Sequence, residues 1–256
     1  MNEIPPMTET TTDDPLLRRA RTLGLWGIVS SWDEVRHEPW LPALLEREER
    51  ERARRSLERR QKRAKLSRFK PLSDFDWSWP KTLDRAAVEE LLTLRFIGAA
   101  TNVLVIGSHG TGKTMIAKNI ANYAVLAGHS TLFVTAHTLL NDLAEHGDGA
   151  ALLRRIRHYT RPDLLVIDEL GYLATSHRHA DLLFHVVNDR YQTKPIIVTT
   201  NKPVTQWEEV FPGATSLVGI VDRLVHNAEI LNVSAESFRL KEANERSAAK
   251  RGAKKR

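Results

Sequence analysis

The chain has 256 residues and a formal net charge of +6; 41% are hydrophobic, 27% are charged and none is Cys. That is the composition of a soluble globular protein with room for one substantial domain and an appendage, and it excludes disulfides and thiolate zinc sites. Apolar runs such as residues 103–106 and 164–167 stop at four residues, against the roughly 20 that a membrane span needs, so a protein of the reducing cytoplasm is expected.

Residues 1–14 hold Pro5, Pro6, a Thr run, Asp13 and Asp14, which reads as a disordered leader without the apolar core of a secretion signal. From Pro15, the series Leu16, Leu17, Ala20, Leu23 and Leu25 suits a short helix, with Gly24 and Gly27 near its end. A second helix is predicted over residues 42–66. Four of its five glutamates have a base four residues on, as Glu46–Arg50, Glu48–Arg52, Glu51–Arg55 and Glu58–Lys62, a spacing that supports an exposed helix. Phe75, Trp77, Trp79 and Pro80 then form an aromatic joint that packs a linker onto the next domain.

After Pro80 strands alternate with helices. Short β-branched-rich runs fall at residues 102–106, 131–135, 164–167, 196–199 and 230–233, with helical patterns between them at 113–127, 138–145, 150–159, 180–191 and 216–226. Buried strands separated by helices predict an α/β body, a parallel sheet of five strands covered on both faces. The expected division is a leader (1–14), a basic helical region with its aromatic linker (15–80), the α/β domain (81–240) and a basic tail (241–256).

Charge is uneven along this chain. Residues 47–70 carry 12 Lys/Arg against 4 Glu, and residues 241–256 carry 7 against 2. A basic arm and tail on a mildly acidic body point to a polyanionic partner.

Gly107-Ser108-His109-Gly110-Thr111-Gly112-Lys113-Thr114 is a complete G-x-x-x-x-G-K-[ST] string, placed after a buried strand and before an amphipathic helix. The glycines let several backbone N–H groups converge on a phosphate at the positive end of that helix. Lys113 is expected to reach the outer phosphates and the Thr114 hydroxyl to ligate Mg²⁺, so ATP and Mg²⁺ are the expected ligands. The run 164–167 ends in Asp168-Glu169, which puts acid at the carboxyl edge of the sheet. Asp168 is expected to hold the metal and Glu169 to orient and deprotonate an attacking water, which favours an ATPase over a kinase.

One run, 131–135, lies between the two motifs, and the order resembles the additional-strand class of P-loop ATPases. In that class an inserted strand carries a polar sensor near the terminal phosphate. Residues 196–201 fit, with Asn201 as the sensor, although Asn before Lys202-Pro203 also suits a plain turn. Arg223, in Val221-Asp222-Arg223-Leu224, stands where ring-forming ATPases send an Arg into the neighbouring subunit's site; an ordinary surface Arg is the alternative. The 33 residues after Arg223 are too few for a full helical lid, which is expected to be reduced or absent. Arg239 is a lesser candidate for a nucleotide or subunit contact.

Taken in order, Phe75-Asp76-Trp77, Asn102-Val103-Leu104, the phosphate loop, the run LLVIDELGY at 164–172, Leu183-Phe184, Asp189-Arg190-Tyr191, Thr200-Asn201-Lys202-Pro203, Trp207, Asp222-Arg223-Leu224 and Ser237-Phe238-Arg239 resemble the IstB family. These are AAA+ ATPase helpers of insertion-sequence transposases, akin to DnaC-type helicase loaders. The resemblance covers residues 15–240. It departs at His109, where the family's loop usually has Pro, and at 235–239, where Phe238 removes a tyrosine hydroxyl.

The resemblance implies ATP-dependent self-assembly on duplex DNA and delivery of a target site to a partner transposase. A replicative-helicase loader is the alternative within the same chemistry, and a scaffold that binds ATP without hydrolysing it is the alternative outside it. Candidate DNA contacts are Arg54, Arg55, Arg59, Arg60, Arg63 and Lys65. No base-reading constellation is visible, so backbone recognition with little sequence preference is expected. No metal site is expected at His177 and His179.

Overall fold

The computed structural model describes residues 14–80, 82–147, 149–171, 176–238 and 241. The expected leader, Arg239 and all of the basic tail but Lys241 lie outside the described residues. The chain divides into two compact units, Met1–Arg59 and Arg60–Arg256.

The first unit is helical. Helix α1 (Pro15–Thr22) starts on Asp14, whose side chain accepts the Leu16 N–H at 2.9 Å, with Pro at the first helical position. Gly24 turns the chain at φ +62°, and α2 (Trp26–Ser30) and α3 (Trp32–Val35) follow. Gly27 therefore lies inside a helix rather than at the end of one. Leu17, Ala20, Leu23, Trp32, Leu41 and Leu45 form a small core.

Helix α4 (Leu41–Ala64) runs for 24 residues and crosses the division. Arg50 pairs with Glu46, Arg52 with Glu48 and Arg55 with Glu51, as expected. Glu58, expected to face Lys62, accepts instead from Arg54 one turn back, and Arg54 also holds Glu51. Exposed pairs of this kind contribute little, because solvent screens them.

In the second unit α5 (Arg85–Leu92) and α6 (Arg95–Gly98) precede β1 (Asn102–Gly107). Then come α7 (Lys113–Leu126), β2 (Thr131–Thr135), α8 (Ala136–Ala144), α9 (Ala150–Thr160), β3 (Leu164–Leu170), α10 (His177–Arg190), β4 (Ile196–Thr200), α11 (Leu217–Val225) and β5 (Ala228–Val233). All strand pairs are parallel, in the order β2-β3-β4-β1-β5. The strand inserted between the phosphate-loop strand and the acid strand is thus β4.

Alternation of side chains sorts the faces. Leu132, Val134, Leu165, Ile167, Ile196 and Val198 join one core with α8, α9, α10 and α11, while α7 packs against β1 through β4 on the sheet's other side. A buried Arg190, 1% exposed, pins the lower end of this unit. Its guanidinium donates to the carbonyls of Tyr159, Thr160, Pro162, Asp163 and Pro195. Burial pushes its pKa down to about 9, still above neutral pH, so the group remains a cation whose two terminal nitrogens are satisfied by backbone oxygens while Nε has no partner among the described residues.

Three expectations change. Strand β3 continues through Asp168 and Glu169 to Leu170 because its register with β4 shifts between Ile167 and Leu170. Helices α2, α3, α5 and α6, of four to eight residues, are too short to show a period. The division also falls at 59/60 and not at 80, because residues 60–75 lie along α7. Arg60 Nε donates to Val125 O (3.0 Å), Lys118 Nζ to Ser67 Oγ (2.8 Å) and Asn119 Nδ2 to Lys70 O (3.0 Å). Asn119 Oδ1 accepts the Leu72 N–H (2.9 Å).

Candidate functional site

The phosphate loop is held open by backbone geometry. Gly112 has φ +99°, and a Cβ there would lie 2.6 Å from the Phe75 ring, so both conformation and space demand glycine. At Gly107 a Cβ would meet Val233 O at 2.1 Å, which lets the loop leave β1 tight against β5. Thr111 Oγ1 and Lys113 Nζ both donate to Ser108 O, at 3.0 and 2.7 Å. Gly112 caps α7 without a side-chain bond to the first turn, leaving that turn's N–H groups turned toward an anion site. The aromatic joint is part of this frame: Phe75 buttresses Gly112, and Trp79 Nε1 donates to Glu236 O at 2.8 Å.

Across from the loop stand the ends of β3 and β4. Asp168, 4% exposed, accepts from Thr114 Oγ1 at 3.1 Å and from Thr199 Oγ1 at 2.5 Å. Thr199 Oγ1 in turn accepts the Glu169 N–H at 2.9 Å. Glu169 has φ +62°, a left-handed conformation costing a non-glycine residue about 1–2 kcal/mol, which the β3 register shift and the Thr199 bond maintain. Its side chain is exposed toward a cavity of about 270 Å³ lined also by His109, Lys113, Thr114 and Asn201. Asn201 Nδ2 lies 3.0 Å from His109 Nε2.

The structure therefore brings the phosphate-loop residues from His109 to Thr114 to one cavity with Glu169 and Asn201. Asp168 joins them through its bond to Thr114. Gly107 sets the exit from β1, and Ser108 contributes its carbonyl to the loop's own bonds. Thr199 is the residue that sequence reasoning missed, since a Thr inside a strand carries no signal of its own. Thr114 and Asp168 offer a hydroxyl and a carboxylate side by side, hard oxygen donors that fit a divalent cation.

The sequence profile of the IstB-like ATP binding proteins matches residues 29–246. The chain belongs to that family. A putative ATP-binding protein of insertion sequence IS5376 from Geobacillus stearothermophilus is 36% identical over 83% of this chain and 85% of its own length. Its counterpart from insertion sequence IS21 of Pseudomonas aeruginosa is 35% identical over 82% and 79%. In fold the IstB-like chain is similar to a crystal structure of DnaI (TM-score 0.54, 20% identity, 67% of this chain and 91% of that one). It is also similar to the replication initiator DnaA bound to AMPPCP and single-stranded DNA (TM-score 0.54, 22% identity, 69% and 53%). These likenesses concern the fold, a P-loop AAA+ domain.

Arg223 does not join the cavity of its own IstB-like chain. Its Nε donates to Asn188 Oδ1 (3.1 Å), an Nη to Gly219 O (3.2 Å), and its guanidinium lies over the Phe184 ring at 4.8 Å.

The basic residues separate into two kinds. On α4, Arg54 and Arg55 are held by Glu51, whose carboxyl their hydrogen bonds draw down to about 2, and Arg60 donates to a backbone oxygen. Arg59, Arg63 and Lys65 are exposed. On α9, Arg154, Arg157, His158 and, just past its end, Arg161 are exposed at spacings of i, i+3, i+4 and i+7, which is one helix face. Among the described residues no acid pairs with Arg154, Arg157 or Arg161. The intervening Arg155 turns away to Asp142, which Tyr159 Oη also contacts at 2.5 Å. The pKa of His158 is lowered by burial and by the cations of Arg155 and Lys65. That stripe was legible as spacing in residues 154–161 and was not among the expected contacts.

His179 closes a capping box with Ser176 at the start of α10, and no cluster of metal-ligating side chains occurs among the described residues. Nor is any described helix long and apolar enough to cross a membrane.

Proposed function

We propose that this IstB-like chain binds and hydrolyses ATP, assembles on duplex DNA and assists a partner transposase in selecting a target site. The observation that carries the chemistry is the hydrogen-bonded line from Thr114 through Asp168 and Thr199 to Glu169, facing Lys113 across one cavity. Lys113 exchanges its bond to Ser108 O for the outer phosphates, whose charge it neutralises, and the first-turn amides of α7 add to that neutralisation. Thr114 and Asp168 would hold Mg²⁺, which supplies charge compensation at the β- and γ-phosphate oxygens.

Glu169 is the base. Its carboxylate takes a proton from a water as the water oxygen bonds to the γ-phosphorus, and the bond to the β-phosphate oxygen breaks, leaving ADP and phosphate. The left-handed backbone at Glu169 aims that carboxylate into the cavity. Asn201 contacts the terminal phosphate or the water. Arg223, docked on α10 outside its own cavity, serves the site of a neighbouring copy, which makes hydrolysis a property of the assembly.

The DNA surface in this reading is the α9 face together with Lys65 and Arg63. These are backbone-contacting cations that neutralise phosphates without reading bases. The relatives, named for insertion sequences, support a transposase over a replicative helicase as the partner.

Sedimentation with a random duplex of about 60 base pairs tests the reading, because phosphate-driven binding needs length and not sequence. Large complexes are expected with ATP and their loss with ADP. Binding indifferent to nucleotide would overturn the coupling of assembly to ATP.

A further inference from the structure

We propose that His109 is a positioning residue, whose ring fixes the Asn201 carboxamide at the phosphate end of the cavity. The inference rests on the ATPase reading above and assigns a task within its site.

His109 occupies a variable position of the G-x-x-x-x-G-K-T loop, where the phosphate-binding geometry asks only for backbone. Its side chain nonetheless lines the cavity beside Glu169, Lys113 and Asn201. Asn201 Nδ2 carries protons and no lone pair, so the 3.0 Å contact makes His109 Nε2 the acceptor and places the ring's proton on Nδ1. Gly171, which has φ +96°, leaves room beside the carboxamide: a Cβ there would come 3.3 Å from Asn201 Oδ1, a tight approach that would press on the amide.

The amide thus has its nitrogen committed to the loop. Rotation about the side chain's terminal torsion, which is otherwise broad, is restricted before any nucleotide arrives. Asn201 directly follows β4, whose Thr199 already ties the two acids together. The His109 contact connects that acid–threonine array to the phosphate loop on the side opposite Thr114. A group positioned in advance acts on the reacting phosphate without reorganising, whereas a displacement of about 1 Å can cost up to a hundredfold in rate.

The test compares His109→Leu, His109→Gln, Asn201→Ala and the Leu/Ala double variant. Leu fills space without an acceptor, while Gln presents Oε1 in the place of Nε2. His109→Leu and Asn201→Ala are each expected to lower kcat about tenfold or more, with affinity for a non-hydrolysable ATP analogue retained. The double variant is expected to be no slower than Asn201→Ala, and His109→Gln to recover most of the rate. A readout independent of turnover is the ¹⁵N resonance of His109 Nε2 in nucleotide-free protein, expected to move in Asn201→Ala.

Multiplicative losses in the double variant, a wild-type kcat in His109→Leu, or a ring resonance indifferent to Asn201→Ala would each overturn the inference. Lys113→Ala separates this from the underlying reading. If that variant still binds the analogue, the cavity is not the nucleotide site; if it does not and the double variant multiplies, only the role of His109 fails.

Discussion

The proposed nucleotide cavity and the basic face of α9 belong to the same unit and are built in opposite ways. In the cavity, Asp168 is buried and four side chains around it are each fixed by a named partner: Lys113 by Ser108, Thr114 and Thr199 by Asp168, Asn201 by His109. On α9, Arg154, Arg157 and Arg161 stand exposed with no acid partner among the described residues. The first arrangement concentrates function in single atoms. The second spreads it over charges that add, and that salt weakens.

Substitutions should therefore behave differently in the two regions. Lys113→Ala is expected to have the largest effect, abolishing nucleotide binding in an equilibrium assay, because the phosphate charge loses its cation. Thr199→Val should follow. It removes a donor from buried Asp168 and the acceptor of the strained Glu169 N–H, with an expected loss of hydrolysis of about ten- to a hundredfold and retained ATP affinity. Glu169→Gln should abolish turnover while trapping the ATP-bound assembly, and a scaffold that merely binds ATP would behave identically with or without that change.

On the basic surface, the triple variant Arg154→Ala, Arg157→Ala, Arg161→Ala should weaken duplex binding by graded steps and leave basal ATP hydrolysis intact. It should also flatten the slope of log affinity against log salt by about 0.9 for each DNA phosphate that is no longer neutralised. Arg54→Ala, whose charge is already spent on Glu51 and Glu58, should change that slope least. If Arg54 and the α9 arginines weigh equally, pairing does not govern the footprint.

The smallest effect concerns α8 and α9. Burial raises the Asp142 pKa, but the hydrogen bonds from Arg155 and Tyr159 outweigh it and hold the carboxyl below its ordinary value of 3.8. A folded pKa below the unfolded one stabilises the fold above about pH 4 and ceases to do so as pH falls through the folded value. Unfolding free energies from urea titrations at pH 7 and pH 3 should differ less in Asp142→Asn than in the unchanged chain, by about 1 kcal/mol.

Much of this was readable in the sequence because it depended on local pattern. The five strands announced themselves as β-branched runs, and the phosphate loop, Asp168, Glu169 and Asn201 each stand at or just beyond the end of such a run. What escaped depended on contacts distant in the chain. Thr199 matters because β4 lies beside β3, and Arg190 reads as a surface residue in Asp-Arg-Tyr until five carbonyls close around it. Residues 60–75 read as the end of an arm because nothing local says they will lie along α7. Charge counting overstated α4, since it could not know that Arg54 reaches back to Glu51 and forward to Glu58.

The same segment has a consequence for the order in which the molecule comes together. Met1–Arg59 has its own small core and can collapse as soon as it leaves the ribosome. Residues 60–75 cannot settle then, because Asn119, Lys118, Gly112 and Val125, against which they lie, have yet to be made. For about 50 residues of synthesis, some seconds at ordinary elongation rates, a strongly basic stretch of the chain is a tether awaiting its seat, and the helix that seats it is the one that completes the phosphate loop.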